Sequence, residues 1–295
     1  MSAAAGIIGQ HHATGGARPF TVTFATGTPP ATVVLHADYT GPAVPAAAFY
    51  DAGDGVWTAY TSTTITMQGS YLRFAGDWRT AAGTYQAMFK NAFLAGTYTC
   101  HFSGTLKYAA TTANAYREIF YGCTAVVAIL DNPFQPIAGA PAIGMFYWTC
   151  SNMSGVTGAL PAGFMDTSGL TGAPADYMFY RACYNMSGVT GALPAGFLDT
   201  SGLTGAPATY MFNSTCRSMS SLQSGDIVLG AGIRLTHANI VGPLKQAMLG
   251  AAAWAGQMYW GADVIHTVLT PASDIDTFSG CVSMPDYGTI AANWK

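Results

Sequence analysis

The chain has 295 residues, half of them apolar and only 8% charged, against about 25% charged in an ordinary soluble domain. Eleven Lys and Arg residues against 14 Asp and Glu residues give a net charge of −3 with no basic cluster, which argues against a nucleic-acid partner. No run approaches about 18 uninterrupted apolar residues, so no membrane span is expected.

A surface built mainly from Thr, Ser, Asn, Gly and Ala carries little repulsion and favours self-association or a tightly packed assembly. The first residues lack the basic start and long apolar run of a secretion signal. Either a signal has been removed, or the protein leaves its cell without one, as a virion component would.

Residues 1–18 are Ala, Gly, His and Thr without periodicity and read as a flexible or assembly arm. His11 and His12 lie there without a neighbouring Cys or carboxylate to complete a metal site. Residues 19–76 read as a small antiparallel β domain. Phe20–Phe24 alternates, Thr32–Tyr39 is β-branched, and Val56–Met67 is rich in Trp, Tyr, Ile and Thr. Asp51 and Asp54 in its last break fit a β-turn better than a calcium loop, which needs further oxygen ligands. From about Tyr71 the spacing predicts short helices alternating with strands, with a strand pair over Thr97–Ala109.

The centre of the chain repeats itself. Met145-Phe-Tyr-Trp-Thr-Cys150, Met178-Phe-Tyr-Arg-Ala-Cys183 and Met211-Phe-Asn-Ser-Thr-Cys216 recur at a step of 33 residues. Between the boxes, 151–177 and 184–210 differ only at Ser151/Tyr184, Met165/Leu198 and Asp176/Thr209. A fixed period of this size predicts stacked supersecondary units that cannot bury their apolar faces alone. Ala175–Cys183 is expected to be a short helix started by Pro174. The repeat core then consists of Met145, Phe146, Cys150, Met178, Phe179, Cys183, Met211, Phe212 and Cys216. Weaker boxes end at Cys123 and Cys281. Asn239–Met258 reads as a long Ala-rich helix and Asp263–Leu269 as a strand, within a divergent C-terminal cap.

At these boxes the chain resembles the BspA-like leucine-rich-repeat surface proteins of the Met-Phe-x-x-Cys repeat type, through Met145-Phe-Tyr-Trp-Thr-Cys150, Met178-Phe-Tyr-Arg-Ala-Cys183, Phe120-Tyr-Gly-Cys123, and Leu160-Pro-Ala-Gly-Phe164 with its copy Leu193-Pro-Ala-Gly-Phe197. Phe278-Ser-Gly-Cys281 and Ile290-Ala-Ala-Asn-Trp294 also look family-like. The resemblance implies an irregular, leucine-rich-repeat-like α/β solenoid over 77–295, preceded by the small antiparallel β domain. It further implies a non-enzymatic role in bacterial surface adhesion or in phage-encoded structural proteins, and no catalytic residues to carry over. The 33-residue unit, scarce Leu and sparse charge depart from the family's usual form.

Chemistry is sparse. Neighbouring helices roughly 8–10 Å apart would hold repeat cysteines beyond the about 7 Å Cα separation of a disulfide, so buried thiols fit better than a disulfide ladder. His36, His101, His237 and His266 are scattered, and neither a Gly-x-Ser-x-Gly nor a His-Glu-x-x-His motif occurs. Asp166 and Asp199 recur in register, which fits caps or turns rather than a unique acid. Asn152, Asn185 and Asn213 begin sequons open to glycans where the machinery exists, but two of them copy the repeat, so chance plus duplication is the stronger account. Tyr147, Trp148, Tyr180 and Tyr184 have two readings: a sugar-binding face, or core and subunit contacts.

The sequence therefore points to a non-catalytic structural protein without a cofactor or metal. It is expected to self-assemble into an extracellular filament or virion surface structure. The alternative is a bacterial cell-surface adhesin gripping a glycan or host protein.

Overall fold

The computed structural model describes residues 18–106, 111–134, 137–225, 227–230, 246–251, 254–255, 258–260, 263–265 and 276–295. Of the expected arm only Arg18 falls among them, so His11 and His12 lie outside the described residues, as do His237 and His266.

Alternation sets the first strand. In β1 (Phe20–Gly27), Phe20, Val22 and Phe24 are buried while the threonines between them face outward. β2 (Thr32–Val34) pairs with β5 (Thr64–Thr66) in a separate antiparallel ribbon. β3 (Ala48–Asp51), β4 (Thr58–Ala59) and β6 (Tyr71–Gly76) join β1 through antiparallel pairings. β7 (Tyr98–Ser103) then pairs antiparallel with β1, and β8 (Val126–Ile129) parallel with β7. The sheet order β4-β3-β6-β1-β7-β8 runs straight through the boundary expected at residue 76. The expected strand pair at Thr97–Ala109 contributes only β7, and residues 107–110 lie outside the described set.

Beyond the sheet the α/β solenoid expectation fails. No α-helix occurs among the described elements, and the remaining strands are short pieces. β9 (Ala138–Gly139) pairs with β10 (Gly169–Leu170), and β11 (Gly191–Ala192) with β12 (Leu222–Ser224), both parallel. β13 (Ile227–Leu229), β14 (Met258–Trp260) and β15 (Asp263–Val264) form a small mixed sheet. The expected helix Ala175–Cys183 is part of a run of turns over 176–185, and equivalent runs occupy 113–122, 143–152 and 209–218. The described part of the expected helix Asn239–Met258 contains a turn run at 246–250 and the first residue of β14. The expected strand Asp263–Leu269 is described only as β15 and Ile265.

The turn runs share one backbone pattern. Alternate N–H groups close local turns: Met145 to Ala142 O, Tyr147 to Gly144 O, Thr149 to Phe146 O and Ser151 to Trp148 O. The intervening N–H groups donate to the next run: Gly144 to Asp176 O, Phe146 to Met178 O, Trp148 to Tyr180 O, Cys150 to Ala182 O and Asn152 to Tyr184 O. Every fourth residue is left-handed, as at Gly144, Trp148 and Asn152. An α-helix admits neither feature, because it keeps φ negative and spends its N–H groups within one segment. A four-residue turn period buries Met145, Phe146, Thr149, Cys150 and Met153. That spacing imitates the apolar stripe of a helix, which explains the mistaken helix.

One column of left-handed positions holds Asn91, Gly122, Asn152, Asn185, Ser218, Gly250 and Gly280. Asn and Gly are the residues that tolerate this conformation. Asn185 Nδ2 also donates to Asn152 Oδ1 at 3.2 Å, tying neighbouring runs together. At Gly122, with φ of +70°, a Cβ would lie 2.1 Å from Asn91 Oδ1 and displace that side chain, so glycine is favoured there.

This register moves two cysteines. Gly122 donates to Ser151 O, which sets Gly122 beside Asn152 and Cys123 beside Met153, not Cys150. Cys123 Sγ donates to Phe89 O at 3.0 Å, and Cys281 Sγ to Met248 O at 3.1 Å. Both occupy the methionine position of the box, three residues later than the expected alignment. Phe120 and Phe278 fill the cysteine position instead.

A single apolar cluster runs from Phe20 to Trp294. Phe20 joins sheet to runs, with ring centroids 5.3 Å from Phe102, 5.4 Å from Phe89 and 5.6 Å from Phe120. Asp51 anchors the sheet's other side. Its carboxylate accepts from Arg73 and from the N–H groups of Gly53 and Gly55. Burial alone would raise its pKa, but the hydrogen bonds from Arg73 and Gly53, with the Arg73 charge, hold it below the ordinary value.

Asn185→Val should lower unfolding stability by about 2 kcal/mol in urea titrations, because a β-branched side chain is forced left-handed and a hydrogen bond is lost. Asn185→Gly should cost only about 0.5 kcal/mol. Asp51→Ala should cost on the order of 3 kcal/mol at neutral pH, because Arg73 and two N–H groups lose their acceptor. The Asp51 contribution is complete above the unfolded carboxylate value and lost as pH falls through the lower folded one. The gap between parent and variant should therefore close below about pH 4.

Candidate interaction face

Because turn side chains alternate between the core and the outside, each box splits in two. Met145, Phe146, Cys150, Met178, Phe179, Cys183, Met211, Phe212 and Cys216 are all buried. Phe146, Phe179 and Phe212 stack run upon run, at 5.4 and 5.1 Å between centroids.

The outward residues form a second aromatic row. Tyr147 stacks on Tyr180 at 5.0 Å and on Trp148 at 5.4 Å, and Trp148 stacks on Tyr121 at 5.2 Å. Tyr177 sets its edge against Tyr180 at 5.8 Å, and Tyr210 lies 5.6 Å from Tyr177. These separations follow from the hydrogen-bonded spacing of the runs, about 4.8 Å for strand-like ladders. Tyr121, Trp148, Tyr147 and Tyr180 stand face to face, while Tyr177 and Tyr210 meet their neighbours edge-on or tilted. Tyr184 joins through cations rather than rings.

Arginines fill the gaps. Arg117 Cζ lies 4.8 Å from the Tyr147 ring centre. Arg181 Cζ lies 5.6, 5.2 and 5.4 Å from the rings of Trp148, Tyr180 and Tyr184. Arg217 completes the row 5.9 Å from Tyr184. Each such contact is worth about 0.5–1 kcal/mol where exposed.

The two ends of the row differ electrostatically. Near the sheet, Lys90 Nζ lies 2.8 Å from Glu118 Oε2 and 3.2 Å from Asp38 Oδ2. Burial opposes the Lys90 charge, but hydrogen bonds to Glu118 and Asp38 outweigh it and raise the lysine pKa. Further along, Arg181 contacts no carboxylate among the described residues, and Arg217 donates only to Gln246 Oε1, at 2.5 Å. The N–H groups of Arg117 Nε, Trp148 Nε1 and Arg181 Nε are buried without an acceptor. Buried donors of this kind each cost about 1–3 kcal/mol until an acceptor arrives. The row is rich in donors and poor in acceptors.

Of the residues expected on this face, Tyr147, Trp148, Tyr180 and Tyr184 share one strip with Arg117, Arg181, Arg217, Tyr121, Tyr177 and Tyr210. The latter carry a signal only in hindsight: each stands beside, or four residues along from, an outward box residue.

Other expected groups do not converge. Asp51 and Asp54 serve as turn acceptors, Asp54 Oδ1 taking the Val56 N–H at 2.9 Å. Asp166 and Asp199 accept from Ser168 and Ser201 N–H at 3.0 and 2.7 Å. His36 Nδ1 accepts from the Asp38 N–H, and His101 sits on β7. Asn213 Oδ1 accepts from Ser214 Oγ at 2.8 Å. Among the described residues no group of three or more His, Cys, Asp or Glu could hold a metal.

All six cysteines are free and buried. Desolvation raises the pKa of each, to about 12 at Cys123 and Cys281, so the thiols are uncharged packing groups rather than nucleophiles.

Comparison with family models, with curated proteins and with solved structures finds no match for this chain.

A thiol reagent such as DTNB at pH 8 should label none of the six cysteines within minutes in the folded protein. All six should react in 6 M guanidinium. Fast labelling of Cys150 or Cys183 in the native state would contradict the packing described.

Proposed function

We propose that this chain is a non-catalytic structural protein that packs side by side with copies of itself in an extracellular filament or virion surface structure. The observation carrying this reading is that both ends of the turn ladder are closed, leaving its flanks as the open surface. At the sheet end, the N–H groups of Thr80 and His36 donate to Thr84 O and Met88 O. At the other end, the final run donates from Phe278 N–H to Trp294 O and from Gly280 N–H to Tyr287 Oη, with Trp294 buried. Closed ends discourage growth by adding runs, as they do at sheet edges that proteins protect. A flank with few charges carries little repulsion against a copy of itself. The resemblance of the boxes to BspA-like proteins belongs to the same non-enzymatic class.

The adhesin alternative draws less support. A sugar ring binds an aromatic side chain through its flat face, and here those faces are turned on one another and on arginines.

Analytical ultracentrifugation over a hundredfold concentration range, with negative-stain imaging, tests the proposal on the full chain and on a chain lacking residues 1–17. Average mass should rise with concentration and laterally associated particles should appear. A monodisperse monomer in both samples at the highest concentration would end it.

A further inference from the structure

Side-by-side packing requires one flank to prefer another, and the charges of the ladder are sorted in a way that supplies the preference. Met165 Sδ lies 3.7 Å from Cys183 Sγ, and Phe134 lies edge-on to Phe146 at 6.3 Å. The box runs and the Leu-Pro-Ala-Gly-Phe segments are thus opposite walls of one core, and their outward side chains face opposite directions. The box wall carries Arg117, Arg181 and Arg217 among stacked rings. The opposite wall carries Asp166 and Asp199, one repeat apart. Each engages Oδ1 in a local turn, while Oδ2 makes no bond among the described residues. With so few charges available, Arg181, Arg217, Asp166 and Asp199 have no ionic partner among the described residues.

We infer that the arginine–aromatic strip of one copy docks on the aspartate wall of the next. This rests on the side-by-side assembly proposed above and names its two surfaces. The strip brings the guanidinium groups of Arg181 and Arg217, which pair with no carboxylate among the described residues. The wall brings carboxylate oxygens that lack donors. Guanidinium groups held flat between rings keep their N–H edges free for such bidentate contacts. Asp166 and Asp199 lie on successive repeats and Arg181 and Arg217 on successive runs, the two arginines offset along the run, so both rows advance in the same direction. A contact between two unlike surfaces propagates head to tail, as an open row of copies unless its rotation closes a ring.

The test uses three full-length proteins: the parent, an R181E/R217E variant, and a D166N/D199N variant whose Asn side chains keep the turn-accepting Oδ1. Circular dichroism and a melting curve establish that each folds. The apparent dissociation constant for self-association should rise at least tenfold in each variant. Assembly of the parent should weaken with added salt, since exposed charge pairs are screened. An equimolar mixture of the two variants should recover association but stop at one-to-one pairs, because each retains one intact surface. If both folded variants assemble as the parent does, the assignment of these surfaces is wrong while side-by-side packing stands. A parent that never associates would overturn both. Should polygalacturonate bind the parent and not R181E/R217E while self-association is unchanged, the strip would be a site for an acidic glycan and the docking inference would fall.

Discussion

Everything beyond the first sheet depends on one use of the backbone: alternate N–H groups of each turn run are given to the run that follows. A turn run has no internal ladder of its own. Its local bonds reach back three residues, and its left-handed residues carry a conformational cost of about 1–2 kcal/mol each. Trp148, Arg181 and Glu118 are bulky residues held in that conformation. They persist because the neighbouring run takes their N–H groups and the core side of the run excludes water. Removing one run would leave a row of unpaired donors facing another row of acceptors. Stability is therefore shared along the ladder rather than held in each unit.

The same spacing writes both faces of the ladder. Inward, it stacks Tyr85, Tyr116, Phe146, Phe179 and Phe212 in one aromatic column, and Phe89 on Phe120 in a second that Phe20 joins to the sheet. Outward, it stacks tyrosines and Trp148 with arginines between them. A ladder that repeats at ring-stacking distance holds aromatic faces against each other wherever aromatics recur. The outer strip therefore offers hydroxyls and guanidinium edges, with the faces of Tyr121, Trp148, Tyr147 and Tyr180 turned on one another.

The residues that would carry chemistry are instead engaged in structure. The thiols are packed and protonated, Glu118 sits between Lys90 and Arg117, and the recurring aspartates stabilise turns. The sequons of the two near-identical copies place their asparagines at left-handed positions, where Asn185 bonds Asn152. Left-handed geometry and run-to-run bonding account for those asparagines.

By itself the sequence determined the repeat, its core residues and the alternation of β1. These rest on which side chains must leave water, and burial follows from composition and spacing alone. It also paired Tyr147 with Tyr180, because equivalent positions of near-identical copies align, whereas Trp148 and Tyr184 stand at non-equivalent positions that the fold brings together around Arg181. Only the tertiary structure decided that the boxes are turns. Met145, Phe146, Cys150 and Met153 suit a helical stripe and a four-residue turn equally well, and the choice lies in the sign of φ at every fourth residue. That sign is set by whether a neighbouring run accepts the N–H groups, which is a contact some thirty residues away. The register of Cys123 was invisible for the same reason. Apolar residues recur at such short steps that a three-residue slip preserves the pattern, and only the bond from Gly122 to Ser151 distinguishes the two alignments.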